Sequence, residues 1–149
     1  MAYVQLSDLA GSIPADFLTQ ALDDDGDGVA DTGVFDGIAS DVGNTIDGYV
    51  GLRYSLPLVP DFTLYPNTYG YPPVVTSAAR VLSLDQLYKR RGTTDDKNPW
   101  SAQAGQIRTL LKAISLGQSP LAPELNRKDP SASIVTQPMR TGRGRTNNA

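Results

Sequence analysis

At 149 residues the chain has the length of one domain, and a chain of that size buries about 70% of its unfolded surface, enough for a real core. It contains no Cys and no His, which excludes disulfides, thiolate metal sites, Cys nucleophiles, Ser-His triads and the usual general base at neutral pH. The net charge of −3 hides an asymmetry: residues 1–79 carry eleven Asp and one cation, Arg53, while residues 80–149 carry twelve Lys and Arg against five acids.

The first residues, Met-Ala-Tyr-Val-Gln-Leu-Ser-Asp, have neither the basic nor the apolar stretch of a signal peptide. No segment reads as a membrane span. The expectation is a soluble chain made in a cytoplasm, with no membrane partner. Ser7 is placed to cap a short turn over Asp8 to Ile13, and Pro14 suits the first position of a short helix. Phe17, Leu18, Ala21 and Leu22 share one face of that helix, which stops at the acidic run Asp23–Asp27.

The acidic run is the one chemical motif. Asp23-Asp24-Asp25-Gly26-Asp27-Gly28-Val29-Ala30-Asp31 matches the start of a calcium loop. Asp23, Asp25 and Asp27 take ligand positions one, three and five. The Val29 carbonyl takes position seven and Asp31 position nine, directly or through water. Ca²⁺ prefers six to eight hard oxygens, and alternate residues of a tight loop can all point inward. Position twelve, normally a bidentate Glu, is Val34 here, and Asp36 two residues later is the substitute. A structural Ca²⁺ ion is one reading. The other is an Asp/Gly turn satisfied by its own backbone.

From Val34 to Tyr54 the periodicity is helical. Phe35, Ile38, Val42, Ile46, Tyr49 and Arg53 fall at three- and four-residue steps, with Asp36 near the start and Arg53 near the end. Residues 55–73 break all periodicity with five prolines and with Tyr65, Tyr69 and Tyr71. Tyrosine supplies rigid amphipathic contact area, so these three read as an interface, with a mobile surface loop as the alternative. A helix follows from Pro73 to Arg91, capped by Gly92, and another from the Asn98 cap through Pro99 and Trp100 to Gly117. The whole predicts an all-α fold: a small bundle of about four helices over residues 1–117, interrupted by the 55–73 loop.

Residues 118–149 show no core pattern and read as an extended basic C-terminal arm. Five cations (Arg127, Lys128, Arg140, Arg143 and Arg145) face two acids there. Ser131 to Gln137 is a candidate for strand addition to a partner's sheet edge, and a disordered tail is the alternative. Arg140, Arg143 and Arg145 are candidate contact residues, either for a neighbouring subunit or for nucleic-acid phosphates. In the second case the chain is a DNA-binding module whose affinity falls steeply with salt. A chain acidic in front and basic behind can also meet a copy of itself head to tail, the contact that builds rings.

The set formed by the Asp23–Asp31 loop, the Ile46-Asp47-Gly48-Tyr49 step, Arg53-Tyr54, the Leu56-Pro57-Leu58 exit and the closing Tyr88-Lys89-Arg90-Arg91-Gly92 resembles the Mu-like phage and prophage head–tail adaptors, also called head-completion or neck proteins. The resemblance covers roughly residues 3–117. It implies a non-enzymatic structural protein in the neck of the virion. It further implies a ring of commonly twelve copies beneath the portal protein, extending the channel for genomic DNA and receiving tail or tail-completion proteins. No catalytic residue is implied. The 59–72 loop and the long basic tail stand outside the family's pattern.

Overall fold

The computed structural model describes residues 2–122. Among them are four α-helices and no strand: α1 (Ala15–Leu22), α2 (Val34–Val50), α3 (Pro73–Arg90) and α4 (Ser101–Ser115), preceded by a 3₁₀ turn at Leu6–Asp8. The all-α expectation holds. Ser131–Gln137, the candidate for strand addition to a partner, lies outside the described residues.

α2 buries a face at helical spacing, Phe35, Ile38, Ala39, Val42, Ile46 and Val50. α3 is buried on more than one face because it packs against α1, α2 and α4. Val75, Ala78, Ala79, Leu82, Leu84 and Leu87 are all inside. Pro73 opens it at a position where the missing N–H costs nothing. α4 adds Ala104, Leu111 and Ile114. Tyr3 and Val4 reach into the same core from the N-terminal segment.

Several boundaries differ from the sequence reading, each for a local reason. The first turn starts from Gln5, whose N–H donates to the Asp8 carboxylate at 2.7 Å, so Asp8 rather than Ser7 closes it. α2 ends at Val50, not Tyr54. Arg53 is therefore off the helix, and its guanidinium donates instead to the Leu116 carbonyl at 2.8 Å, capping α4. α4 begins at Ser101, because Asn98 Oδ1 accepts the Trp100 N–H at 3.0 Å in a turn before the helix. Leu121 and Ala122 are buried, so the packed unit continues past Gly117. The Leu121 N–H donates to the Tyr54 hydroxyl at 2.9 Å, fixing the point where the arm departs.

The segment after α2 is built, not loose. Asp61 N–H donates to the Gly70 carbonyl at 2.7 Å, closing the loop at its neck. The Asp61 carboxylate accepts the N–H groups of Thr63 and Leu64 at 2.9 and 3.1 Å. Gly70 has φ +80°, and an added Cβ would lie 2.7 Å from Pro60 Cβ and 2.8 Å from Asp61 N.

Candidate functional site

The acidic loop joins α1 to α2 and is closed by its own side chains. Asp23 accepts the Gly26 N–H at 2.6 Å and the Gly28 N–H at 2.9 Å on its two oxygens. These bonds, that from Gly28 first, hold the Asp23 carboxyl below the ordinary Asp range. Asp25 accepts the Asp27 N–H at 3.1 Å, and Asp27 accepts the Val29 N–H at 2.8 Å. Gly26 and Gly28, at φ +81° and +84°, take conformations that L side chains rarely adopt. The turn closed by its own backbone is thus realised.

The calcium-type ligand set is realised only in part. One oxygen each from Asp23, Asp25 and Asp27 lie within 4.8 Å of one another. Asp31 and Asp36 are not in that group. Asp31 spends an oxygen on the Asp24 N–H at 2.6 Å, and Asp36 sits in the first turn of α2. The Val29 side chain is exposed at the loop tip. The loop is anchored to the far end of α3: Arg90 donates to Asp24 and, at 3.2 Å, to the Ala21 carbonyl.

The three candidate interface tyrosines go different ways. Tyr71 turns inward and meets Tyr3 edge-on, ring centroids 4.8 Å apart. Its burial is a correction to the expected contact surface. It follows from Tyr71 lying next to Pro72 and the start of α3, where the chain re-enters the core. Tyr69 is half-buried and donates to Asp8 at 2.7 Å, which pins the end of the loop to the 3₁₀ turn. Tyr65 is half-buried as well. Arg140, Arg143 and Arg145 lie outside the described residues.

The exposed side chains that do stand out are large and apolar. Val59 is 77% exposed, Phe62 63% and Leu64 50%, with Leu52, Leu56 and Leu116 also open to solvent. Periodicity could not reveal them, because the segment has none. Their signal in the sequence is the run of large apolar residues between prolines. Sequence reading also missed a buried polar knot. Asp85, 1% exposed, accepts Asn98 Nδ2 at 2.8 Å, Arg108 at 2.9 Å and Lys89 at 3.1 Å, tying α3 to α4. An acid set among Leu82, Leu84 and Leu87 was its signal.

The family profile described as Bacteriophage Mu, Gp36 matches residues 3–137. The chain belongs to this bacteriophage Mu Gp36 family. The Gp36 profile extends past Gly117 as far as Gln137, so most of the segment set apart as an arm lies within the family pattern. No curated protein and no solved structure matches the chain. Among the described residues of this Gp36-family chain, no helix is long and apolar enough to cross a membrane.

Proposed function

We propose that this chain is a structural virion protein, a head-to-tail adaptor that forms a ring, of twelve copies by the resemblance, between the portal and the tail. The observation that carries the reading is membership of the phage Mu Gp36 family across nearly the whole chain. The hydrogen-bonded loop that holds Val59, Phe62 and Leu64 in solvent supports it, since exposed apolar side chains on such a loop mark a surface for contact. The opposed charges of the two sequence halves support repeated head-to-tail contact. No step of covalent chemistry belongs to this role.

The test is reconstitution. Purified protein is mixed with portal-bearing heads that lack it and imaged by electron microscopy. The expected result is a ring of density under each portal. Portals that stay bare, with calcium present and with it chelated, sink the reading. Salt-dependent DNA binding by the full chain, lost on replacing Arg140, Arg143 and Arg145 by Ala, would then favour the nucleic-acid alternative.

In the same role the acidic loop takes Ca²⁺ as a structural ion on Asp23, Asp25 and Asp27, weakly, because Val34 supplies no carboxylate at position twelve. Calorimetric titration is expected to give a Kd of about 10⁻⁴–10⁻³ M. Absence of a binding isotherm leaves the loop as the turn that its backbone bonds already close.

A further inference from the structure

A hollow of about 430 Å³ opens between the 3₁₀ turn and the start of α2. Its apolar wall comes from Val4, Leu6, Leu22, Ala30, Phe35 and Ala39. Asp31 and Asp36 line it as well, and Asp23, Asp24, Asp25 and Asp27 belong to the same α1–α2 loop that supplies Ala30 to its wall. Among the described residues, the one ion pair made by these six is Asp24 with Arg90. An apolar hollow with an anionic border fits a segment that is apolar first and cationic just after.

Residues 123–149 contain that order. Ile134 and Val135 are followed by Met139 and then by Arg140, Arg143 and Arg145. We propose that the hollow receives this part of the arm from a second copy of the chain, with Ile134 and Val135 in the hollow and the three arginines against the acidic loop. The proposal rests on the ring reading above and names the contact that joins neighbours.

Two further observations favour this segment; its reach covers the chain's own hollow too, and the opposed charges of the two sequence halves favour a second copy over it. The arm departs beside Tyr54, beyond the C-terminal end of α2, whereas the hollow lies at its N-terminal end. The 17 residues of α2 set these ends about 25 Å apart. Leu125, three residues beyond Ala122, reaches only about 10 Å, whereas Ile134 reaches about 40 Å. An exit at one end and a receiving hollow at the other make a contact between unlike surfaces, which repeats from copy to copy. Ile134 and Val135 also fall within the span of the family profile.

The chain has no cysteine, so introduced thiols are the only ones. The test is the full-length Ala30→Cys/Val135→Cys variant, treated with a short bifunctional maleimide in solution and on portal-bearing heads. The expected product is a ladder of linked dimers and higher species. Adding Arg140→Ala, Arg143→Ala and Arg145→Ala is expected to lower the linked yield about tenfold at low salt. Linked monomer alone means that the arm folds onto its own hollow and overturns the proposal. So does absence of any link on particles where a ring is visible, an outcome that leaves the ring reading standing. A ladder unaffected by the arginine substitutions overturns the pairing with the acidic loop. Bare portals remove the ring and this contact together.

Discussion

Tyr3 shows how much a single side chain can join. It is buried, donates to Asp47 across 44 residues of sequence, and packs edge-on against Tyr71. Burial first, then the bond to Asp47, pushes its phenol pKa well above the ordinary value of 10.0. The neutral phenol therefore contributes stability that is whole below pH 10.0 and is lost as pH rises toward the folded value. Tyr3→Phe is expected to lower stability by about 2 kcal/mol at neutral pH, since the acceptor is a carboxylate. The decline above pH 10.0 should become shallower in the variant. Thermal melts across the pH range check both, and an unchanged alkaline slope would remove Tyr3 from this account. Asp85 is the second such residue. Its partners Lys89 and Arg108 have side chains 42% and 46% exposed, so both can turn to water if the carboxylate is removed. Asn98 is buried and cannot. Asp85→Ala should therefore cost about 2–3 kcal/mol, set by the stranded amide more than by the lost ion pairs. Chemical denaturation of Asp85→Ala and Asn98→Ala measures it, and additive losses in the double variant would refute the shared origin.

At the level of elements, the helices were legible because burial imposes the same three- and four-residue spacing on sequence and structure. Phe35, Ile38, Val42 and Ile46 announce α2 and line its buried face. Starts and stops were less legible because they depend on partners far away. Arg53 reads as the last turn of α2 by spacing alone, but the C-terminus of α4 claims it. Asn98 reads as the cap of α4, yet it also serves Asp85 on α3. The acidic loop was legible as a turn and as a trio of carboxylates, because both follow from local Asp and Gly spacing. Asp31 and Asp36 stand outside the trio, one holding the Asp24 N–H and the other in the first turn of α2, which no local pattern encodes. Loop 60–70 was legible only as a break. Its closure depends on Gly70, where positive φ and the nearness of Pro60 and Asp61 leave no room for a side chain. Gly70→Ala should open the loop at a cost of about 2–4 kcal/mol. Limited proteolysis should then cut within residues 59–67 much faster, while helical circular dichroism stays near wild type. Equal cleavage rates would show that the neck is not what holds the loop.

Over the whole molecule, the segments on either side of the loop are held together by contacts that do not pass through it. α1 packs on α3, and α2 packs on α3 and α4. Arg90 grips Asp24, Arg53 grips Leu116, and Tyr54 grips Leu121. The covalent link at Phe62–Thr63 contributes little to that arrangement beyond chain entropy. A single nick there is expected to leave a two-piece complex that still elutes as one species and melts cooperatively at a lower temperature. In denaturant the pieces should part cleanly on an ion exchanger, because residues 1–62 carry a net −10 and residues 63–149 a net +7. On dilution they attract before they fold. The loop is thus a seam at which this protein can be made as two oppositely charged halves and reassembled, each half open to separate labelling or replacement.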